Sequence, residues 1–271
     1  MMIQWNLTSK RTLIKDSDIL VFSVAKSGRT WLRVLINKYL SLAYDIPFSL
    51  KDLGKHETKI PSILYTHEIW EHYSKATMFQ QLLGKYIVTD TMLKSKKIVL
   101  LYRDPRDVLV SLFFHMRKRS EHKAEKQMSD LLFDKHHGIQ QIVKVMNKWR
   151  ERLKDHPNIF WIAYEELKTD TLGRLTALLE FLDFGVFDQE IARQAVAFAE
   201  FESMKKMEAK GTFGTKILKP GDPLDPDSFK VRKGKVGDYV NHFSNGDLIL
   251  LDRAVADLDP FFAYDSVEGL S

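Results

Sequence analysis

A short turn at residues 26–30 (KSGRT) has the residue types that bind phosphate. An unbroken apolar run over residues 19–24 precedes it, and apolar residues at helical spacing follow it from Leu32. A strand, a small turn and a helix start bring free backbone N–H groups and the positive helix end to one point, which attracts anions. The turn does not match the ATP-binding pattern GxxxxGK[ST], because its lysine precedes the glycine. Alone, it fits a plain strand–helix connection equally well.

Two other segments carry groups that suit an anionic ligand. Arg103 follows an apolar run at residues 98–102, and a guanidinium binds phosphate or carboxylate with two parallel hydrogen bonds. Arg106 and Asp107, further along, are expected to be solvated charges at a helix start. The segment 232–243 (RKGKVGDYVNHF) interleaves basic residues with glycine, so that amides and cations can surround an anion. By itself it fits a solvated basic turn.

His67 is the histidine whose position suits catalysis. A lone histidine is more often structural, but His67 lies at the carboxyl end of an apolar run at residues 63–65, beside Glu68. An imidazole with an ordinary pKa near 6.5 is mostly neutral at cellular pH and accepts a proton.

The elements that hold these residues alternate between strand and helix. Ligands of open parallel sheets bind beyond the carboxyl ends of the strands, where the residues above lie. The sequence therefore predicts an α/β fold, in one large domain or two small ones, with a glycine- and proline-rich loop at 211–237 that is either functional or disordered. Strands are predicted at 19–24, 63–65, 98–102 and 159–163, and helices at 106–116, 139–153 and 171–182.

Composition limits the function classes. The chain has 271 residues, 44% hydrophobic and 28% charged, with a formal net charge of +5. This mild excess fits an anionic ligand, whereas a nucleic-acid partner predicts a concentrated basic face. The absence of cysteine excludes disulfides, thiol nucleophiles and cysteine-ligated metals. No apolar run reaches the length of a signal core or a membrane span, so a cytoplasmic protein with no membrane partner is expected.

Three motifs resemble those of cytosolic-type sulfotransferases. AKSGRTW resembles the family's 5′-phosphosulfate loop, PKSGTTW, and RDPRDVLVS resembles its 3′-phosphate motif, RNPRDVxVS. RKGKVGDYVNHF resembles its RKGxxGDWKNxF signature. YTH, AYEEL and FESMKK resemble the KTH, YED and SFxxMKK segments, and all six occur in the family's order across residues 20–243.

The resemblance implies a single domain over residues 1–271, with a central parallel β-sheet flanked by helices and a P-loop-like phosphosulfate-binding loop. It also implies that the loop at 211–237 lies over the donor and acceptor sites. It implies 3′-phosphoadenosine 5′-phosphosulfate (PAPS) as donor, 3′-phosphoadenosine 5′-phosphate (PAP) as product, and no metal. The acceptor would be a hydroxyl or an amine or amide nitrogen of a small molecule, reached by in-line transfer with His67 as general base and Lys26 stabilising the leaving phosphate. Carried over by motif, the donor-binding residues are Lys26, Ser27, Gly28, Arg29, Thr30 and Trp31 on the 5′ side, Arg103, Ser111, Arg232, Lys233 and Gly234 at the 3′-phosphate, and Tyr164 and Phe201 at adenine.

Five positions depart from the family pattern: Ala25 replaces proline, Arg29 threonine, Tyr65 the KTH lysine, Ala199 threonine and Tyr239 tryptophan. The change at residue 65 removes one candidate cation for the sulfonate, and the arginine at 29 either contacts the sulfonate or points to solvent. The family's C-terminal dimerisation motif has no match, which favours a monomer or weak dimer. The short loops resemble those of bacterial small-molecule enzymes.

The acceptor is not encoded in a motif. A set of acidic residues suggests a polar or cationic natural product, such as a guanidinium alkaloid of the saxitoxin type; alternatively, these carboxylates only balance nearby lysines. The set comprises Glu68, Glu71, Asp222, Asp225 and Asp227. Two other classes stay open: an ATP-dependent small-molecule kinase, and a non-catalytic nucleotide- or RNA-binding module.

Overall fold

A four-stranded parallel sheet forms the centre of the computed structural model, which describes residues 9–54, 57, 59–67, 89–119, 127–215 and 217–264. The strand order is β2-β1-β3-β4, and each neighbouring pair is parallel. This confirms the predicted α/β class. The bounds agree with the predicted runs to within one residue: β1 Ile19–Ser23, β2 Ile63–Thr66, β3 Lys97–Tyr102 and β4 Ile159–Ala163.

Helices cover both faces of the sheet. They end near the predicted positions, and the two predicted at 139–153 and 171–182 have those bounds. None of the described helices is long and apolar enough to cross a membrane. In chain order they are α1 Ser9–Asp16, α2 Arg29–Ala43, α3 Asp90–Leu93, α4 Pro105–Arg119, α5 Met128–Leu132, α6 Ile139–Leu153, α7 Tyr164–Thr169, α8 Thr171–Leu182, α9 Gln189–Phe198, α10 Phe201–Ala209 and α11 Asn245–Val255.

Strand β1 is apolar without alternation because both of its faces are covered. All five of its residues are buried. Ile19 and Val21 belong to the hydrophobic cluster that contains α2, α8 and α9, whereas Leu20 and Phe22 belong to the cluster that contains α4, α6 and α11. The side-chain period of two along a strand produces this division.

The chain changes direction across the sheet at β1. Helix α2 leads from β1 toward β2 on one side, and β3 pairs with β1 on the other. In open α/β sheets a ligand crevice lies at such a switch point, beyond the carboxyl ends of the strands. The sheet therefore positions the turn after β1 at the place where a ligand is expected.

The predicted loop at 211–237 is held by side chains of α4. Arg119 donates hydrogen bonds to the carbonyls of Ser228 and Lys219, the second at 2.6 Å, and Lys118 lies 2.8 Å from a carboxylate oxygen of Asp225. Within residues 217–243, the regular structure consists of two 3₁₀ turns, Pro226–Ser228 and Asp238–Asn241.

Candidate functional site

The four strands end at one edge, and each is followed by a residue singled out in the sequence. The turn at Lys26 follows β1, His67 follows β2, Arg103 follows β3 and Tyr164 follows β4. The register pairs Phe22 with Thr66 and Tyr102 with Ala163, so these ends lie side by side. Segments distant in sequence thus meet at a single edge of the sheet.

The turn after β1 requires an unusual backbone. Lys26 has φ 68° and Gly28 has φ 91°, both in the left-handed region. A Cβ atom at Gly28 would lie 2.7 Å from Cδ2 of Tyr164, so only glycine fits. Gly28 is also the N-cap of α2 and supplies no side-chain cap, which leaves the helix start to a ligand.

Buried donors in this region lack hydrogen-bond partners. Ser27 has 0% exposure, and its Oγ makes no hydrogen bond to any described residue. The same holds for Nε of Arg103 and Nη1 of Arg232. Buried donors without acceptors are costly and rare, so their grouping here fits an oxyanion ligand that supplies the missing acceptors.

Lys26 carries less charge than the sequence suggests. Burial, followed by the charges of the nearby cations Arg119 and Lys230, lowers its pKa to about 7. In the absence of a ligand, Lys26 is therefore only partly protonated near pH 7. A bound anion reverses this effect, because an opposite charge nearby favours the ammonium form.

His67 is fixed by the end of β1. Its Nδ1 lies 3.0 Å from the carbonyl oxygen of Ser23 and 3.0 Å from the hydroxyl of the same residue. Donation from Nδ1–H to the carbonyl leaves the lone pair on Nε2. Burial, followed by the charge of Arg29, lowers the pKa of the imidazole to about 3, so His67 is neutral at cellular pH.

Arg103 is held in place from two directions. Its Nη2 donates to Oδ2 of Asp107 at 3.1 Å and to the carbonyl of Lys235 at 2.7 Å. The guanidinium carbon lies 4.3 Å from the ring centroid of Tyr164. The arginine after β3 therefore reaches the basic segment at 232–243, as the convergence of motifs predicts. Ser111 lies on α4, half-buried, eight residues further along.

The prediction that Arg106 is a solvated charge is wrong. It is 4% exposed, with Nη2 at 2.8 Å from Asp104 and Nη1 at 2.6 Å from Asp252. Asp252 lies on α11, which is far away in the sequence but packs beside α4. Two carboxylates compensate the buried guanidinium, which the local sequence does not reveal.

The same prediction for Asp107 is also wrong. This residue is 2% exposed, and its carboxylate accepts hydrogen bonds from the backbone N–H groups of Gly237 at 2.9 Å and Tyr239 at 3.2 Å. Asp107 therefore attaches the basic segment to the start of α4, in addition to holding Arg103. In the sequence, the signal for this role of Asp107 is its position: an acidic residue at a predicted helix start, between two basic motifs.

The basic segment packs on the start of α10. Gly234 has φ 61°, and a Cβ at this position would lie 2.7 Å from Cδ2 of Phe201. The guanidinium of Arg232 stacks 4.0 Å from the ring centroid of Phe114. Lys233 is engaged within the segment, since its ammonium lies 2.9 Å from the carboxylate of Asp238.

Aromatic residues line the side of β4. The indole N–H of Trp31 donates to the carbonyl of Ala199 at 2.9 Å, and its ring meets that of Tyr164 edge-on with centroids 5.8 Å apart. The ammonium of Lys168 lies 5.7 Å from the rings of both Trp31 and Phe201. These rings form a surface on which a nucleobase can stack. Thr30, in the first turn of α2, is half-buried.

The acidic residues considered for a cationic acceptor have local partners. Asp225 pairs with Lys118 at 2.8 Å and Asp227 lies 3.7 Å from Arg232. Asp222 accepts a hydrogen bond from the backbone of Leu224 at 2.9 Å. Asp225 and Asp227 thus make the contacts expected of the alternative interpretation, in which the carboxylates balance nearby cations. Glu68 and Glu71 lie outside the described residues.

Comparisons with known proteins agree on one family. A family model for the sulfotransferase domain matches residues 16–257. Cytosolic sulfotransferase 7 of Arabidopsis thaliana is 28% identical over 252 residues, covering 85% of this chain and 75% of its own. Cytosolic sulfotransferase 16 of the same plant is 26% identical over 248 residues, covering 85% and 72%. The crystal structure of mouse sulfotransferase SULT7A1 complexed with PAP is 24% identical, with a TM-score of 0.61 over 93% of this chain and 90% of its own.

Proposed function

The chain belongs to the sulfotransferase domain family, and from this premise we propose that it transfers a sulfuryl group from PAPS to a hydroxyl or an amine or amide nitrogen of a small molecule. One observation carries the proposal: the imidazole of His67 and the glycine-containing turn at Lys26 follow adjacent parallel strands, β2 and β1. A general base beside an anion site is the arrangement that group transfer to an acceptor hydroxyl needs.

The donor supplies an activated sulfuryl group bonded to a 5′-phosphate, together with a 3′-phosphate. We assign Lys26, Ser27 and the start of α2, with Arg29 and Thr30, to the 5′ side. The buried Oγ of Ser27, which lacks a partner among the described residues, supports this assignment.

We assign the 3′-phosphate to Arg103, with Ser111, Arg232, Lys233 and the backbone at Gly234. Arg103 and Arg232 each carry a buried N–H without a hydrogen-bond acceptor among the described residues. A 3′-phosphate distinguishes this donor from ATP, which has none, so these guanidinium groups argue against a kinase. Trp31, Tyr164 and Phe201 provide aromatic surface for adenine.

His67 acts as the general base in the proposed reaction. Its Nδ1 is engaged with Ser23, so Nε2 takes the proton from the acceptor, a contribution of roughly 10²–10⁴ in rate. The depressed pKa keeps the imidazole in its neutral form at physiological pH, and it also makes the imidazole a weak base until the donor is bound. The negative donor brought next to it offsets the cations that disfavour its protonated form.

Lys26 and the start of α2 stabilise charge on the leaving phosphate oxygen. Removing one such donor from other active sites costs roughly 3–4 kcal/mol in barrier height. Lys26 lies near Arg103, Arg119 and Lys230, which contribute to the same positive field. The cations that neutralise the anionic donor are thus protein side chains.

Because the matching plant relatives are named cytosolic sulfotransferases, we also propose a cytosolic location. A role in natural product biosynthesis, a bacterial source and a saxitoxin-type acceptor stay predictions. The contacts of Asp225 and Asp227 with nearby cations weaken the case for the last of these.

Calorimetric titration with PAP tests the donor assignment. We expect PAP to bind and ADP, which lacks the 3′-phosphate, to bind at least about tenfold more weakly. Arg103→Ala should weaken PAP binding by about 10–100-fold, the effect of losing charge-assisted hydrogen bonds. Arg117→Ala, at an exposed arginine of α4, is the control and should leave the affinity unchanged.

Transfer of labelled sulfate from PAPS to a panel of phenols, alcohols and amines tests the reaction itself. Equal affinity for PAP and ADP, or unchanged PAP affinity in Arg103→Ala, would refute the donor assignment. Transfer of phosphate from ATP without transfer of sulfate would show a kinase, and steeply salt-dependent RNA binding without either transfer would show a binding module.

A further inference from the structure

Arg33 lies against the strand that leads to His67. It is one helical turn after Arg29 on α2, and its guanidinium carbon lies 4.2 Å from the ring centroid of Tyr65. The hydroxyl of Tyr65 donates to Oδ1 of Asn37 at 3.1 Å, one turn further along the same helix. Tyr65 precedes His67 by two residues, so the ring on which Arg33 stacks lies on the strand that leads to the imidazole.

Among the described residues Arg33 makes no ion pair, and the charge of Asp52 acts on its guanidinium only from beyond ion-pair distance. Nη1 donates to the carbonyl of Leu50 at 3.3 Å, and the buried Nε makes no hydrogen bond to a described residue. No carboxylate oxygen of the described residues lies within 4.0 Å of this guanidinium. Arg103, Arg106 and Arg119 each have a carboxylate within 3.5 Å.

An arginine held partly out of water without a carboxylate is costly, because its desolvation is not compensated by an ion pair. Such a group is retained where a ligand supplies the missing anion. Burial is the main cause that lowers the pKa of His67, and Arg33 is the last of the cations that lower it further, so its charge reaches the imidazole.

The sheet order decides which ligand meets Arg33. Arg103 and Tyr164 follow β3 and β4, on one side of β1, whereas Arg33 stacks on a residue of β2, on the other side. A donor held between the turn after β1 and the ends of β3 and β4 leaves the β2 side to the acceptor. His67 follows β2, and its Nδ1 contacts Ser23 at the end of β1, so the imidazole lies on the acceptor side next to the turn that holds the donor.

We propose that Arg33 is a specificity-determining residue that binds an oxyanion of the acceptor, such as a carboxylate, beside the hydroxyl or nitrogen that faces His67. The inference rests on the proposed function and names the acceptor class for that site: a small molecule with a negative charge near its reacting group. A guanidinium suits this task because it grips an oxyanion with two parallel hydrogen bonds.

Three matched phenols test the proposal: 3-(4-hydroxyphenyl)propionate, its neutral amide, and the cationic tyramine. Binding to the PAP-loaded protein is measured by calorimetry, and sulfate transfer from PAPS by labelled product. We expect the carboxylate to bind at least about tenfold more tightly than the amide, and tyramine to bind most weakly. kcat/KM should follow the same order.

Variants separate this role from a structural one. Arg33→Met should remove the preference, lowering affinity for the carboxylate about 10–100-fold while the amide changes less than about threefold. Arg33→Lys should restore part of the preference. Arg193→Met, at an exposed arginine of α9, is the control and should behave as the unmodified protein.

The outcomes distinguish this inference from the proposed function. PAP binding and transfer without a preference for the carboxylate would overturn the role of Arg33 and leave the function intact. An equal loss for all three phenols, or weaker PAP binding, in Arg33→Met would also overturn it. Arg33-dependent binding of the carboxylate without transfer to any acceptor would support the anion site and refute the proposed function.

Discussion

The two sides of β1 are built differently. On the side of β3 and β4, charged groups are bonded to one another: Asp107 holds Arg103 and the backbone of Gly237, and Asp238 holds Lys233. On the side of β2, a guanidinium stacks on the ring of Tyr65 and has no carboxylate beside it among the described residues. The β3 and β4 side is therefore preassembled, whereas the β2 side holds a guanidinium whose charge a ligand can pair.

This difference separates donor from acceptor. A preformed network reduces the ordering that binding requires, which suits a donor that is the same in every turnover. A side with an unpaired positive charge discriminates among acceptors, because only a negatively charged ligand compensates for the desolvation of that group. The β3 and β4 side should therefore govern PAP affinity, and the β2 side should govern acceptor choice.

His67→Ala is the strongest test of this division, because it removes the proposed base and leaves the β3 and β4 side unaltered. We expect sulfate transfer to fall by roughly 10²–10⁴-fold. PAP affinity by calorimetry should stay within about threefold, since His67 contacts Ser23 and the β2 side. His136→Ala, at an exposed histidine, is the control. Turnover within tenfold of the unmodified protein would contradict the base assignment.

Glu208→Gln should disturb the preassembled side next most strongly. Glu208 is fully buried, and its two carboxylate oxygens accept from the backbone N–H groups of Lys230 at 2.8 Å and Val231 at 2.9 Å. Arg119 lies 3.5 Å away. The change leaves Arg119 without its carboxylate and removes one acceptor, so the free energy of unfolding should fall by about 3 kcal/mol.

The loss at Glu208 should also reach the donor. Lys230 and Val231 directly precede the basic segment that begins at Arg232, so PAP affinity should fall as well, by about tenfold. Urea unfolding and calorimetry measure the two effects, and Glu151→Gln, at an exposed carboxylate, is the control. A stability loss with normal PAP affinity would show that the segment 232–234 is positioned independently of Glu208.

The sequence predicts the strands and the turn at the edge of the sheet better than the long-range contacts of the charged residues around that edge. The strands and the turn at 26–30 follow from buried apolar runs and a glycine, which are local features. The burial of Arg106 and Asp107 depends on Asp252 and on Gly237, more than a hundred residues away, and was predicted wrongly for that reason. The stacking of Arg33 on Tyr65 likewise joins a helix to a neighbouring strand.

The pH dependence of PAP binding gives the smallest and most specific effect. Burial, with Arg119 and Lys230 nearby, lowers the pKa of Lys26 to about 7 in the protein without ligand. A bound dianionic phosphate favours the ammonium and raises that pKa. Affinity should therefore be highest between about pH 6 and 7, where Lys26 is protonated and the phosphates are ionised, and should fall by up to tenfold per unit as pH rises above 7.

Lys26→Arg isolates this titration, because a guanidinium stays charged throughout the range. The phosphates of PAP, with a second pKa near 6, are already ionised above pH 7, so they do not add to the decline. Burial also lowers the pKa of Lys230, to about 8, and this lysine is present in both proteins. The difference in slope between pH 7 and 9 thus reports Lys26 alone. Equal slopes for the two proteins would show that the ammonium of Lys26 does not meet the nucleotide.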